Sequence, residues 1–257
     1  MGVFSFRRRE GAGAARLVLT LLAPWVAVVG TVSTPETAHA AGGAYAVDDV
    51  EVGAVGACKV ESWASFASNS DIVGAVAPAC VVNLGRPVEL SGTFSPFRSA
   101  GEGGAAFTFK AKTNLIPIEP GKIGLGLSAG TSVDLVNRMV NGVFVSVPVT
   151  FQVHEQVRVN VNGGWLWDPS TRLHYATWGA GFEWNFVKPL TLIGEVFGIA
   201  GTGQNNSPRA QLGLRYTPKE NFDIDLIYGR NITGENAHWV TVGLNVRFDP
   251  PGNGKEK

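Results

Sequence analysis

The chain has 257 residues, with 21 basic and 21 acidic side chains, so it carries no net formal charge. A balanced chain lacks the basic surface that nucleic-acid binding requires, which excludes a nucleic-acid partner. Only 16% of the residues are charged and 33 are glycine, a composition more typical of a β-barrel than of a compact soluble enzyme.

The N-terminus has the three parts of a secretory signal peptide. Residues 7–9 are three arginines, the apolar stretch 17–29 is too short to span a membrane comfortably as a helix, and Ala38-His39-Ala40 offers small residues for cleavage. We predict that residues 1–40 are a signal peptide cleaved after Ala40; an uncleaved N-terminal anchor is the alternative. Export followed by alternating strands indicates the bacterial outer membrane as the location.

The mature chain is predicted to be almost entirely strand. Residues 41–57 are rich in glycine and alanine and are predicted to form a periplasmic lead-in. Residues 58–248 then divide into twelve segments of alternating apolar and polar residues, which is the pattern of strands with one apolar and one polar face. The predicted fold is therefore all-β, a transmembrane antiparallel up-and-down β-barrel of about 12 strands. The polar residues 249–257 are predicted to be a periplasmic tail.

Turn signals set the predicted strand ends. The third strand is predicted as Val88–Phe94, and Arg98–Gly104 is predicted as a loop on the outer side. An even number of strands returns both termini to one side of the membrane, and that side is predicted to be the periplasm, where the exported chain enters.

Charged residues inside the predicted strands share a face with small or polar neighbours, and the opposite face is apolar. An Arg or Lys facing lipid at mid-membrane costs about 2–4 kcal/mol, so these charges are predicted to line the lumen. Both signs occur, which predicts internal ion pairs around a polar passage without strong preference for ions of one charge. The predicted lumen-lining residues are Lys110, Lys112, Arg158, Glu183, Glu195, Arg215, Asp223, Asp225 and Arg247.

A soluble barrel with an apolar interior would show the same periodicity. Twelve strands argue against it, because side chains already fill a barrel of about eight strands and a wider apolar lumen would be a large void. Aromatic residues on the apolar face are predicted to form a girdle at the membrane interface; ordinary sheet packing is the alternative. These residues are Trp165, Trp167, Trp178, Trp184, Phe186 and Tyr216.

The chain has two cysteines, Cys58 and Cys80. A hairpin centred on Asn69 places the two cysteines directly opposite each other on neighbouring strands. An exported protein folds in a compartment that permits disulfides. We predict a structural disulfide, with two free thiols as the alternative.

The sequence contains no recognisable catalytic site. His154, His174 and His238 fall at turns or strand ends, and none lies two residues from a serine on a strand, where a nucleophile and its base would face the same side. No group of His, Cys, Asp and Glu has the spacing of metal ligands. We predict no enzymatic activity, no cofactor and no metal.

Four C-terminal segments carry a family resemblance: Gly194–Gly198, Pro208–Tyr216, Asn221–Gly234 and Val240–Phe248. They resemble the C-terminal part of the MetA-pathway phenol-degradation family of outer-membrane proteins, often called transporters. The resemblance implies a membrane barrel of the 12-stranded type and a role in uptake of aromatic or other small hydrophobic compounds. It transfers no site residues.

These observations predict a passive outer-membrane channel or transporter for small molecules. The alternative is a structural or interaction barrel of the outer membrane with a closed lumen. The expected partners are outer-membrane lipids, a small-molecule solute and the barrel-assembly machinery.

Overall fold

The computed structural model describes residues 44–119, 121–201 and 208–248. The predicted signal peptide and the predicted C-terminal tail lie outside these residues. The described chain forms twelve strands: β1 (Cys58–Ala67), β2 (Ile72–Asn83), β3 (Pro87–Ser99), β4 (Glu102–Ile116), β5 (Ile123–Asp134), β6 (Met139–His154), β7 (Val157–Asp168), β8 (Leu173–Val187), β9 (Leu190–Gly201), β10 (Arg209–Lys219), β11 (Phe222–Asn231) and β12 (His238–Phe248).

The strands close into one up-and-down barrel. Each strand pairs with its neighbours in the chain, and β1 pairs antiparallel with β12 to complete the ring. The first strand begins at Cys58 and the last ends at Phe248, the residues at which the sequence analysis placed them. We call the rim that contains these two residues the terminal end, and the opposite rim the loop end. The predicted twelve-stranded antiparallel barrel is confirmed. The described residues contain no helix that is long and apolar enough to cross a membrane.

The alternation in sequence becomes an outward and an inward face. In β12, Val242 and Leu244 face outward and are 46% and 42% exposed, whereas Thr241 and Asn245 face inward and are 2% and 3% exposed. Large apolar side chains are exposed in this way around the whole barrel. An apolar exterior around a polar interior is the arrangement of transmembrane barrels and the reverse of a soluble one.

Aromatic residues lie on the outer face near both rims. Trp165 and Trp167 lie near the loop end, where the ring of His174 stacks on both. Trp184 and Phe186 lie near the terminal end with ring centroids 5.7 Å apart. This placement is that of the predicted interfacial girdle.

The third strand is longer than predicted. β3 continues past Phe94 to Ser99 because Phe97 packs inside the barrel against Ala106 of β4. The predicted loop Arg98–Gly104 shrinks to a tight turn in which Ala100 and Gly101 adopt positive φ angles of 50° and 85°. The polar residues near Phe97 resemble a turn in sequence. They nevertheless continue the strand, because their side chains alternate between the outward and the inward face up to Ser99.

The predicted disulfide between Cys58 and Cys80 is confirmed. The two residues are direct partners in the register of β1 and β2. They lie on the outward face at the terminal end, so the bond ties the start of the barrel to its second strand.

Candidate functional site in the barrel lumen

The predicted lumen-lining charges lie on the inward face, and all of them lie between the middle of the barrel and the terminal end. Register places Arg158 opposite Glu183, and Arg215 opposite Asp225. Two of these carboxyl groups, on Asp223 and Asp225, are almost fully buried. The charges therefore occupy one half of the lumen instead of lining its full length.

Part of this charge is paired from strand to strand. The Arg215 guanidinium donates to both Asp225 oxygens, with Nε–Oδ1 and Nη2–Oδ2 distances of 2.8 and 3.1 Å. Asn245 Nδ2 donates to the same carboxylate at 2.8 Å, and Arg247 pairs with Asp223. These contacts confirm the ion pairs that the sequence predicts for the two aspartates.

The N-terminal segment lies inside the barrel, which corrects the prediction of a periplasmic lead-in for residues 44–51. Gly56 and Ala57 bond to the backbone of Val81 at the terminal end, and the chain before them runs into the lumen. Tyr45 and Val50 are 3% and 0% exposed there. We call residues 44–51 the plug. In the lumen, the apolar side chains of the plug are buried and its acidic side chains form ion pairs with basic residues. A lead-in outside the barrel would have neither kind of contact.

Side chains of the barrel wall bind the backbone of the plug. The Glu195 carboxylate accepts hydrogen bonds from the N–H groups of Ala46 and Val47, at 2.8 and 3.1 Å. Asn162 makes a two-point contact with the Asp48 backbone: Oδ1 accepts from its N–H at 2.5 Å, and Nδ2 donates to its C=O at 2.9 Å. Two strands, β7 and β9, thus hold three consecutive plug residues.

Two further wall residues extend these contacts in both directions. Thr150 Oγ1 accepts from the Val50 N–H at 3.1 Å. Gln211 Nε2 donates to the Ala44 C=O at 3.4 Å and to Glu195 at 2.7 Å. The plug backbone is therefore held at intervals from Ala44 to Val50, by groups that do not depend on which side chains the plug carries.

The acidic side chains of the plug face the basic side chains of the wall. Asp48 binds Lys110 Nζ at 2.7 Å and Lys112 Nζ at 2.8 Å, and Asp49 binds Lys112 Nζ at 2.8 Å. Glu51 receives both terminal nitrogens of Arg158, at 2.9 and 3.0 Å. Three wall cations predicted to pair within the lumen lattice thus pair with the plug.

The Asp48 carboxyl remains ionised in this setting. Burial by itself would raise its pKa, but the ammonium groups of Lys110 and Lys112 outweigh that effect and hold the pKa well below its ordinary value of 3.8. At neutral pH the contact is therefore between one full negative charge and two full positive charges.

Glycines in the wall make room for the plug's side chains. A Cβ added to Gly213 would lie 2.5 Å from Tyr45 Oη, and one added to Gly124 would lie 2.6 Å from Val50 Cγ2. Beside these gaps, Tyr45 packs with Ile193 and Ile227. The wall is thus shaped to the plug as well as charged to match it.

A cavity of about 650 Å³ opens between the plug and the terminal end. Its lining mixes polar and apolar side chains and includes Glu51, Lys59, Arg158, Glu183 and Arg247. The chamber therefore brings side chains of both signs of charge together around one space.

The other half of the lumen is filled differently. Near the loop end, the inward side chains include two buried apolar clusters. One consists of Phe144, Leu166, Tyr175 and Ile199, with Leu173 packed against it, and the other of Phe97 and Ala106, with Val73 packed against it.

Sequence reasoning placed the wall charges and missed the plug. The available signal was the acidic run Asp48-Asp49-Val50-Glu51, which is too short and aperiodic to indicate an element. Within the described residues, no group of three or more His, Cys, Asp or Glu side chains is arranged to hold a metal ion.

Solved structures share this fold at low sequence identity. The KdgM porin in complex with disordered oligogalacturonate has a TM-score of 0.58 at 10% identity, covering 74% of this chain and 99% of that chain. The NanC porin has a TM-score of 0.60 at 7% identity, covering 73% and 98%. The COG4313 outer membrane channel from Pseudomonas putida F1 has a TM-score of 0.59 at 15% identity, covering 78% and 98%.

The chain is thus an outer-membrane-type β-barrel with the fold of these porins and this channel. No curated protein matches its sequence. A family profile matches residues 29–248, which is most of the chain. The chain therefore belongs to the family described as uncharacterised conserved protein UCP029691.

Proposed function

We propose that this barrel is a passive channel for small molecules in the bacterial outer membrane. The observation that carries the proposal is a charged lumen occupied by a segment that is not part of its wall: residues 44–51 belong to no strand, and side-chain hydrogen bonds and ion pairs hold them. The segment can exchange such contacts for contacts with water or solute and so leave the lumen. A strand of the wall cannot do so, because it is paired with a neighbour on each side. The shared fold with porins supports the same function.

The terminal end faces the periplasm in this proposal, because an exported chain enters the membrane from that side. Outer-membrane lipids then contact the apolar exterior, and the barrel-assembly machinery inserts the chain. The chamber of about 650 Å³ opens to the periplasm, next to the plug.

Uptake of aromatic or hydrophobic compounds, implied by the resemblance to the phenol-degradation family, remains a prediction. The charged terminal half of the lumen favours polar solutes. The test compares phenol with an uncharged sugar of similar size, and for each solute it measures the increase in flux of protein-containing liposomes over protein-free liposomes. Faster sugar flux would contradict the aromatic role.

The second candidate is a structural barrel with a permanently closed lumen. It is favoured by the buried apolar clusters near the loop end, where Leu166 is fully enclosed. In this case neither weakening the plug nor adding solute would open a path.

Planar-bilayer recording separates the two candidates. The refolded wild-type chain and the Asp48→Asn variant, which loses the charge held by Lys110 and Lys112, are compared at neutral pH. We expect rare openings of the wild type and about tenfold more frequent openings of the variant, since a charge-assisted hydrogen bond contributes about 1.5–3 kcal/mol.

Glu102→Gln is the matched control, because Glu102 is an exposed carboxylate at the loop end. Absence of conductance in both the wild type and the Asp48→Asn variant would refute the channel and support the closed barrel.

A further inference from the structure

We propose that the lumen wall carries a binding site for short acidic peptides, and that the plug occupies it as an intramolecular substitute for the solute. The inference rests on the proposed channel function and names its solute class. It follows from what the wall recognises, which is an extended peptide backbone with a carboxylate at one position.

The first step is backbone recognition. Glu195, Asn162 and Thr150 contact main-chain polar atoms of the plug, and Gln211 contacts a fourth main-chain position. Main-chain hydrogen bonds are how peptide-binding sites gain affinity that is independent of sequence. The four wall residues lie on β6, β7, β9 and β10, so they form a track across one side of the lumen.

The two-point contact of Asn162 is the most specific part of this track. Its side-chain amide pairs with both the N–H and the C=O of a single residue, Asp48. A ligand satisfies both atoms only if it presents a donor and an acceptor side by side, as the N–H and C=O of one residue in an extended chain do. A fully ionised inorganic anion offers acceptors alone and no such pair.

The second step is selection of an acidic residue. At the residue held by Asn162, the side-chain carboxylate lies between Lys110 Nζ and Lys112 Nζ. Lys112 is only 4% exposed, and a buried ammonium group is costly without an anionic partner. When the plug leaves, another carboxylate at the same position would restore the ion pairs that the two lysines lose.

The third step is space for neighbouring side chains. Gly179 and Gly124 face Val47 and Val50, and a Cβ on either glycine would lie within 2.9 Å of the valine. The residues on either side of the acidic position are therefore accommodated in shallow gaps of the wall. A chain of about the plug's length and composition fits the whole track.

A solute entering the terminal end meets these groups directly. The chamber of about 650 Å³ is lined by Asp48, Lys112 and Glu195, among others, so the track is reached without crossing the barrel wall. A peptide that replaces the plug gains the same contacts that the plug gives up, which keeps the exchange close to balance.

The test uses the full-length chain carrying Asp48→Asn, so that its own segment competes less for the lysines. A fluorescent, end-capped peptide with the sequence of residues 44–51 is added to the protein in lipid nanodiscs, and its binding is followed by anisotropy. The same peptide carrying Asp48→Asn is the comparison ligand. We expect the acidic peptide to bind at least about tenfold more tightly than the amide peptide.

Two variants in the Asp48→Asn background assign the affinity to the named groups. Lys110→Gln with Lys112→Gln should remove the difference between the two peptides, while Lys219→Gln, an exposed lysine at the terminal end, should preserve it. Asn162→Ala should weaken both peptides by the same factor of about tenfold, because it removes backbone contacts only.

Equal affinity of the two peptides, or no binding of either, overturns the peptide site and leaves the wall groups serving only the chain's own segment. Because binding is measured without current, the two proposals fail separately. If Asp48→Asn conducts but binds no peptide, the channel proposal stands and the peptide site is refuted. If it binds peptide but does not conduct, the peptide site stands and the channel proposal is refuted.

Discussion

The two halves of the lumen are filled by groups that are held in different physical ways. Next to the terminal end, the contacts depend on charge: Lys110, Lys112 and Arg158 hold the plug through its carboxylates. Next to the loop end, the contacts depend on packing, as Leu166 and Tyr175 are buried with other apolar side chains. Charge contacts can be exchanged with water and ions, whereas packed apolar contacts are lost outright when they separate.

This difference indicates which half can move. The plug is tied to the wall by groups that water or a solute can replace, and the loop half is part of the strands themselves. Changes in the terminal half should therefore alter conductance, and changes in the loop half should alter stability. One set of contacts in the terminal half should affect stability instead of conductance. It is the network of ion pairs between wall strands that centres on Asp223 and Asp225.

That network gives the largest expected effect on stability. Asp225→Ala removes the partner of Arg215 and Asn245 and leaves the half-buried Arg215 guanidinium with only the more distant Asp223, at 3.9 Å. The free energy of unfolding should fall by about 3–5 kcal/mol, as when one partner of a buried ion pair is removed. Urea unfolding in lipid vesicles measures it, with the exposed Glu102→Ala as control. A loss as small as that of the control would mean that water reaches this network.

The loop half is probed by Leu166→Ala, which leaves a cavity among Phe144, Tyr175 and Ile199. We expect a loss of about 2–5 kcal/mol in the free energy of unfolding, measured by the same urea titration. Val161→Ala, on the outward face of the same strand, is the matched control because that side chain is 40% exposed. If Leu166→Ala also raised the conductance of the Asp48→Asn variant, the loop half would be a second gate and the contrast between the halves would weaken.

Gly213→Val should weaken plug binding without changing any charge, because the added Cβ would lie 2.5 Å from Tyr45 Oη and 2.8 Å from Ile227 Cγ1. Channel openings should become about tenfold more frequent, which corresponds to a change of about 1.4 kcal/mol in plug binding. The control is Gly163→Val, since a Cβ there meets nothing within 4 Å. Both variants are compared by planar-bilayer recording. If they open equally often, the fit of Tyr45 into the wall does not control opening.

Acid gives the smallest expected effect. The pKa of Asp48 is lowered when the plug is bound, because Lys110 and Lys112 outweigh the effect of burial. The contact therefore contributes fully above the ordinary pKa of 3.8 and weakens as the pH falls below that value. Wild-type openings should rise only below about pH 4. The Asp48→Asn variant should show a smaller rise, since Asp49 and Glu51 keep their own ion pairs, and an equal rise in it would assign the titration to another group.

The sequence alone determined the barrel and its two faces. A strand has a period of two, so Val242, Leu244 and Asp225 could be assigned to a side without any knowledge of their neighbours. Register across one short hairpin likewise placed Cys58 opposite Cys80. Strand ends such as that of β3 were harder to predict, because local turn signals compete there with packing against the next strand.

Only the tertiary structure decided that the lumen holds a plug. The contacts that fix it join residues far apart in the chain: Val47 and Glu195 are 148 positions apart, and Asp48 and Asn162 are 114 apart. Residues 44–51 have no periodicity of their own, and their position follows from the wall charges and glycines that the closed barrel brings together. Sequence pattern records local alternation, whereas the occupant of a lumen is set by groups that meet only when the ring closes.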